Sequence, residues 1–268
     1  LLTAGVLMPL LVWAIFHPAR WPLALVLGAF VAAAAWEWSA LAGLRERLAR
    51  GGYCLGVIGC ALAVDGLATT GPVRATVALG AVIAWGIGLV LIGRVERGLV
   101  LRAWPATLNL GIGALVLLPF WLCVLWLKEL DYRFLLALAA LIWLADSLAY
   151  FAGRRWGRHR LAPRVSPGKT WEGVAAGLLA APLVALLLSR FGGGPGLPGI
   201  ALLSGLGVVT IAVSVVGDLF ESLIKRRAGV KDSGRLLPGH GGVMDRIDSL
   251  TAAAPTFYLG LILLGARA

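Results

Sequence analysis

The sequence predicts an all-α fold: a polytopic helical membrane protein of about nine transmembrane helices, with a polar site facing the cytoplasm. Of the 268 residues, 60% are hydrophobic and only 14% are charged, and the mean hydropathy is +0.90. Soluble domains average roughly 25% charged residues. Long apolar runs such as 21–30 and 200–216 leave almost no polar surface. The charged residues gather instead in a few glycine-broken segments between these runs.

The elements follow from counting apolar stretches, because a span needs roughly 17 to 25 apolar residues. Charged or Gly/Pro-rich breaks separate the stretches. The nine predicted spans are residues 1–17, 21–42, 52–69, 73–93, 106–127, 134–152, 173–189, 200–220 and 249–266. The loops are short, and neither a repeat nor an interdomain linker is visible. We therefore expect one integral membrane domain over 1–268, with the N-terminal spans in 1–130.

The first apolar run lacks a basic segment and a small-residue cleavage site, so we interpret it as a span and not as a signal peptide. Cys54, Cys60 and Cys123 all lie in apolar runs and are expected to be small buried hydrophobic residues. Their spacing predicts neither a disulfide framework nor a metal site.

The formal charge of +11 follows the predicted topology. Most of the 24 Lys and Arg residues fall in loops on one side of the nine spans, as the positive-inside rule requires. That side is predicted to be cytoplasmic, with the N-terminus inside and the C-terminus outside. Basic loops attracted to anionic headgroups explain the charge, so no nucleic acid partner is expected.

Four acids lie within or at the ends of predicted spans, where an ionised carboxylate costs about 2.5 kcal/mol or more at the helix centre. Asp65, toward the outer end of span three, is interpreted as a rim residue or an interhelical hydrogen-bond partner. Glu37, between two tryptophans near the inner interface, is interpreted as structural. Asp146 and Asp218 differ, because both approach the two most basic loops.

The first polar segment, 146–173, begins inside span six. Asp146, Tyr150 and Gly153 recur at i, i+4 and i+7, so they are predicted to share one helical face. The arginines that follow are explained equally well by topology and by ligand binding; they are Arg155, Arg158 and Arg160.

Residues 166–170, S-P-G-K-T, are predicted to form a turn before span seven. Ser, Lys and Thr would supply hydrogen-bond donors beside the positive end of a helix, an arrangement that suits phosphate. The glycine spacing and the strand of a Walker P-loop are absent. Ordinary helix capping by Ser166 or Thr170 is the alternative.

The second polar segment, 222–248, continues from span eight. One face at the end of that span carries two carboxylates, a hydroxyl and an ammonium at i, i+3, i+4 and i+7, contributed by Asp218, Glu221, Ser222 and Lys225. The glycines of 238–242 give irregular backbone that can approach a ligand closely. Asp245, Asp248 and Ser249 share a further helical face before the last span.

These acids and cations could neutralise each other as salt bridges at the membrane rim, but a rim network needs no glycines. Oxygen ligands, irregular backbone and phosphate-seeking cations together favour Mg²⁺-assisted phosphoryl or nucleotidyl transfer. His240 has no Cys or second His nearby for a zinc set and is expected to hydrogen-bond phosphate.

As a string, 222–248 gives S-x-I-K-R-x₄-K-D-S-G-x₂-L-P-x-H-G-G-V-x-D-R-I-D. This string resembles the signature of the phosphatidate cytidylyltransferases, or CDP-diacylglycerol synthases. The earlier elements D-x₃-Y-x₂-G-R-x₂-G and S-P-G-K-T-x-E-G resemble the same family. Gly168 is a departure, because relatives often have a second lysine there. A pattern with this many specified positions is far more specific than a lone G-x-G-x-x-G.

The resemblance implies transfer of CMP from CTP to phosphatidic acid, giving CDP-diacylglycerol and pyrophosphate with Mg²⁺ as cofactor. Whether a second metal or a monovalent cation is also bound is left open. The resemblance also implies that 131–268 holds the catalytic spans and loops of a protein in the bacterial inner membrane, with the lipid bilayer and a possible homodimer as partners. Asp218 and Asp245 would be the first metal ligands and Asp248 the third, with Lys225 also catalytic.

The remaining implied site residues would bind substrate, mainly its phosphates. They are Asp146, which could also orient a basic partner, and Ser166, Lys169, Ser222, Arg226, Lys231, His240, Gly241, Gly242 and Arg246. A CTP-dependent lipid or polyprenol kinase is the main alternative, since it needs the same ions and loops. A CDP-alcohol phosphotransferase is less favoured, because its repeated acidic pattern is absent. An ion-coupled transporter would explain acids in spans, but not polar loops.

Overall fold

The computed structural model describes residues 2–99, 104–191, 199–234, 236 and 241–266. These residues form a bundle of helices with one short β-hairpin. In chain order the elements are α1 (Leu2–Phe16), α2 (Trp21–Leu41), α3 (Arg47–Leu67), α4 (Gly71–Glu96), α5 (Ala106–Leu130), α6 (Tyr132–Trp156), β1 (Arg160–Ala162), β2 (Ser166–Thr170), α7 (Trp171–Gly177), α8 (Ala180–Phe191), α9 (Ile200–Arg227) and α10 (Met244–Leu263).

Each of the nine predicted spans coincides with a helix, except that span seven is interrupted between α7 and α8 at residues 178–179. Within the described ranges, seven helical stretches are long and apolar enough to cross a bilayer, counting α7 and α8 together as Trp171–Arg190. Helix α1, with 15 residues, and helix α10, which begins with the charged sequence M-D-R-I-D, are not among the seven. The predicted all-α polytopic architecture is confirmed.

Helix α5 lies at the centre of the bundle. It packs against α2, α3, α4, α6 and α10, and nearly every side chain from Val116 to Leu127 is buried. Neighbouring helices therefore surround α5 from residue 116 to residue 127. Pro119 inside it is tolerated because the surrounding helices cover the interrupted backbone.

Small residues bring together the helices that carry the polar segments. A Cβ added at Gly217 of α9 would lie 2.7 Å from the carbonyl oxygen of Asp248 in α10. At Gly173 of α7, a Cβ would lie 2.8 Å from the carbonyl oxygen of Ala149 in α6. Such close approach is the usual role of small residues in membrane bundles. It fixes α6, α7, α9 and α10 around a common end of the bundle.

The predicted turn at residues 166–170 is wrong. Ser166–Thr170 is strand β2, which pairs antiparallel with β1, and the turn precedes it at residues 163–165. Pro163 starts that turn, and Pro167 is tolerated in β2 because both strands of a two-stranded sheet are edge strands. The capping alternative is confirmed for Thr170, whose hydroxyl accepts a hydrogen bond from the Gly173 N–H at the start of α7.

Charged residues also meet at the end of the bundle opposite to the one where α6, α7, α9 and α10 carry the polar segments. We call it the far end. Arg20 pairs with Asp65 at 2.5 Å and with Glu129 at 2.7 Å, and Arg74 pairs with Glu129 at 2.5 Å. Asp65 also accepts a hydrogen bond from the Trp126 indole N–H at 3.0 Å. The interpretation of Asp65 as an interhelical hydrogen-bond partner is thereby confirmed. These four charged residues are the far-end network.

Candidate active site at the basic end of the bundle

A cavity of about 560 Å³ opens where α6, β2, α7 and α9 meet, at what we call the basic end. Cavities of about 300–1,000 Å³ are typical of small-molecule sites. Its lining comprises Asp146, Ala149, Tyr150, Gly153, Arg154, Gly157, Arg160, Gly168, Lys169, Thr170, Gly173, Val174, Val215 and Asp218. The structure therefore brings the first polar segment and Asp218 to one cavity. Asp146, Tyr150 and Gly153 line it together, as their helical spacing predicts.

An ion pair crosses this cavity. The Lys169 ammonium on β2 lies 2.6 Å from Asp218 Oδ2 on α9. The Ser222 hydroxyl, one turn along α9, donates to Asp218 Oδ1 at 3.4 Å. Arg154 donates to the Tyr150 hydroxyl at 3.0 Å on the same lining. Three cations and two carboxylates thus line a cavity that has room for a ligand.

The hairpin that carries Lys169 is held by two glutamates. Glu96, at the C-terminal end of α4, accepts backbone hydrogen bonds from Arg164 at 3.1 Å and Val165 at 2.9 Å, in the hairpin turn. Glu172, in the first turn of α7, accepts from the His159 N–H and lies 2.6 Å from His159 Nδ1. The hairpin is therefore fixed to α4 and α7, and the position of Lys169 is set by the fold.

The second polar segment forms a separate cluster around Lys225 of α9. The Lys225 ammonium lies 2.6 Å from Glu221 Oε2 and 2.6 Å from Asp245 Oδ1. Asp245 also accepts from the backbone N–H groups of Gly242 at 2.9 Å and Ser233 at 3.1 Å. We call Glu221, Lys225 and Asp245 the Lys225 cluster. It ties α9 to α10 and to Ser233 and Gly242 of the connection between them.

Glu37 of α2 reaches the same segment from the N-terminal half. Its side chain is buried, with 2% of the residue exposed. The carboxylate accepts from the Ser233 hydroxyl at 2.9 Å, the Val243 N–H at 3.0 Å and the Met244 N–H at 2.9 Å. The sequence offered one signal for this contact, a carboxylate in an apolar span, but nothing that identified its partners.

Asp248 of α10 packs against α9 at Gly217, the chain neighbour of the cavity residue Asp218. Its side chain accepts the Ser249 N–H at 2.7 Å, and its backbone lies against Gly217 of α9. It is close enough to Asp218, Lys169 and Lys225 for their charges to act on it. The electrostatic environment of Asp248 therefore includes charges of the cavity and of the Lys225 cluster.

The metal prediction can be tested only by the chemistry of these donors. Among the residues that the structure describes, no three His, Cys, Asp or Glu side chains form a group that could hold a metal. Mg²⁺, however, is commonly held by one or two carboxylates together with substrate phosphates. Asp218 lines the cavity and Asp248 is near it, so the donor chemistry fits. The roles of Asp218, Asp245 and Asp248 as ligands stay predictions.

Other predicted site residues lie elsewhere. Within the described part of the chain, the cavity lining does not include Ser166, Arg226, Lys231 or Arg246. Arg226, Lys231 and Arg246 are exposed. His240 lies outside the described residues. Their phosphate-binding roles stay predictions.

The two predicted glycines have local structural roles. Gly241 has a φ of +79°, which favours glycine. A Cβ on Gly242 would lie 2.6 Å from Glu37 Oε2, and the Gly242 N–H already donates to Asp245. The backbone therefore closes on the protein's own carboxylates here, and phosphate binding by these two residues stays a prediction.

Comparison with known proteins places the chain in a family. The model of a family described as the cytidylyltransferase family matches residues 1–264. A phosphatidate cytidylyltransferase of Pseudomonas aeruginosa is 41% identical over 260 residues, covering 96% of this chain and 94% of the relative. One of Haemophilus influenzae is 40% identical over 277 residues, covering 96% and 95%. One of Brucella abortus is 40% identical over 193 residues, covering 69% and 65%. The chain belongs to the cytidylyltransferase family.

Proposed function

We propose that the basic end of this bundle transfers CMP from CTP to phosphatidic acid, giving CDP-diacylglycerol and pyrophosphate. The observation that carries the proposal is the cavity of about 560 Å³ in which Asp146 and Asp218 face Lys169, Arg154 and Arg160. Both substrates are polyanions that must meet at the membrane surface. Family membership and relatives at about 40% identity support the same reaction. They do not favour the kinase or the transporter.

The transfer forms one bond and breaks another at the α-phosphorus of CTP. An oxygen of the lipid phosphate attacks this phosphorus in line, and the bond to the bridging oxygen of pyrophosphate breaks. Negative charge from both phosphates accumulates around the reacting centre, so positioned cations are the main requirement. Lys169, Arg154 and Arg160 line the cavity and would hold phosphate oxygens there. Asp146 would orient one of these cations.

Mg²⁺ would be held by Asp218 and Asp248, with Asp245 as the further predicted ligand. When bound, it would neutralise phosphate charge and favour departure of pyrophosphate. Asp245 differs from Asp218, because it accepts two backbone hydrogen bonds, from Ser233 and Gly242, in addition to its contact with Lys225, and because it does not line the cavity. The proposal therefore gives Asp218 and Asp248 the larger share of metal binding.

The membrane supplies the lipid substrate, and the topology decides on which membrane face the site lies. We place the protein in a bacterial inner membrane with the basic end toward the cytoplasm, where CTP is available, following the positive-inside distribution. Single cysteines at Arg47 on the basic end and Thr69 on the far end, both exposed, would test the orientation in a variant lacking Cys54, Cys60 and Cys123. An impermeant maleimide added to whole cells should label Thr69→Cys only.

Isotope transfer tests the reaction itself. The purified protein in mixed micelles with phosphatidic acid should move label from [α-³²P]CTP into lipid, and none from [γ-³²P]CTP. Label entering from the γ-phosphate alone would indicate a kinase and overturn the proposal.

Removing divalent ions with EDTA should abolish transfer, and added Mg²⁺ should restore it. Transfer at the full rate in EDTA would remove the metal from the mechanism. Light scattering of the same sample would test the proposed homodimer.

A further inference from the structure

Glu37 of the N-terminal half makes several hydrogen bonds to the second polar segment. Its carboxylate accepts three hydrogen bonds from Ser233, Val243 and Met244, all between 2.9 and 3.0 Å. These partners lie about 200 residues further along the chain. A buried carboxylate is costly unless it is fully hydrogen-bonded, and Glu37 meets that requirement through this segment.

Two of these bonds replace a missing helix cap. The N-cap of α10 is Val243, whose side chain makes no capping hydrogen bond. The first N–H groups of a helix have no partner within it, and they carry the positive end of the helix dipole. Glu37 accepts from Val243 and Met244 and so caps α10 from another helix. Negative charge at this position also stabilises the helix start that carries Asp245.

Glu37 and Asp245 accept hydrogen bonds from the same two places in the chain, Ser233 and the pair Gly242 and Val243. Ser233 donates its hydroxyl to Glu37 and its N–H to Asp245. At the other end of the segment, Gly242 donates to Asp245 and its neighbour Val243 donates to Glu37. The backbone packs so closely that a Cβ on Gly234 or Gly242 would collide with Glu37. The position of Asp245, and through it that of Lys225, therefore depends on Glu37.

We infer that Glu37 is a positioning residue for cytidylyl transfer: it fixes Ser233 and the backbone at Val243 and Met244, and thereby Asp245 and Lys225, without touching substrate. This inference rests on the proposed function, because only that function gives the Lys225 cluster a catalytic task. It assigns a role in the reaction to a residue of the N-terminal half, outside the signature strings at 146–173 and 222–248.

Glu37→Gln is the direct test, since it keeps the shape but replaces one acceptor oxygen with an NH₂ donor that faces backbone N–H groups. We expect kcat to fall about 10- to 100-fold, because small displacements of catalytic groups have effects of that size. KM for CTP and for phosphatidic acid should change by less than about threefold, since the cavity lining is not touched. Hydrogen exchange at the Val243 and Met244 amides should become faster.

A purely structural role would give a different pattern. It would lower the melting temperature and the yield of folded protein but leave kcat per folded molecule unchanged, and that result would overturn the inference. Glu46→Gln is the matched control, because Glu46 is exposed at the start of α3 and its side chain makes no capping hydrogen bond. It should keep wild-type kcat and exchange rates.

Ser233→Ala keeps the inference testable if Glu37→Gln does not fold. It removes one of the three bonds and leaves the two at the start of α10, so we expect kcat to fall about three- to tenfold. Wild-type kcat in this variant would overturn the inference. If both variants fold, Ser233→Ala should have a smaller effect in the Glu37→Gln background, because the shared bond is already lost. Absence of CMP transfer by the wild-type protein would instead refute the proposed function.

Discussion

The two ends of the bundle both carry acids paired with cations, yet they differ in what surrounds the pairs. At the far end, Arg20, Arg74, Asp65 and Glu129 neutralise each other, and the neighbouring cavity of about 280 Å³ is lined mainly by apolar side chains. At the basic end, the Lys169–Asp218 pair lines a larger cavity together with two arginines. Charge inside a span is therefore not enough to indicate function. A cavity that leaves charge available to a ligand is the stronger indicator.

Asp218→Asn should produce the largest effect, because it removes a charge from the polar cavity and breaks the pair with Lys169. We expect CMP transfer to fall at least about 100-fold, the usual cost of losing a charged group that acts on the transition state. The melting temperature in detergent should stay within a few degrees of wild type, since the side chain is partly exposed. Near-normal turnover at saturating Mg²⁺ would remove Asp218 from the catalytic site.

Lys225→Ala should rank second. The change leaves Glu221 and Asp245 without the ammonium that lies 2.6 Å from each. We expect turnover to fall about 10- to 100-fold and the α9–α10 segment to exchange its amides faster. If Lys225 instead binds phosphate directly, KM for CTP will rise while amide exchange stays unchanged. Arg47→Ala, at an exposed cation on the same end, is the control and should behave as wild type.

Asp65→Asn tests the other side of the comparison, because it changes a paired carboxylate at the far end. Asparagine can still accept the Trp126 N–H, but it loses the ion pair with Arg20. We expect the free energy of unfolding to fall by about 1–2 kcal/mol, because a charged hydrogen bond is lost from a partly exposed site. The kcat per folded molecule should not change. A large loss of kcat without a loss of stability would show that the far end also serves the reaction.

The sequence predicted the membrane helices well, because each apolar run is long enough to form one and is bounded by charge, glycine or proline. It also predicted the shared face of Asp146, Tyr150 and Gly153, since that face depends only on helical periodicity. It could not predict that Glu37 would bind a segment 200 residues away, because no local pattern encodes a contact between distant elements. The hairpin at 160–170 was missed because S-P-G-K-T lacks the alternation that indicates a strand.

Glu96→Gln should change the kinetics least of these substitutions. It tests how much the position of the hairpin depends on Glu96. Glu96 accepts two backbone hydrogen bonds from the hairpin turn, and glutamine can still accept with its remaining oxygen. The hairpin has a second attachment through Glu172 and His159, so Lys169 should move little. We expect KM for CTP to rise about two- to fivefold with kcat unchanged, measured against Glu46→Gln. A loss of kcat as large as that of Glu37→Gln would mean that both polar segments depend equally on glutamates from the N-terminal half. The expectation that two attachments make the hairpin less sensitive to the loss of one glutamate would then be wrong.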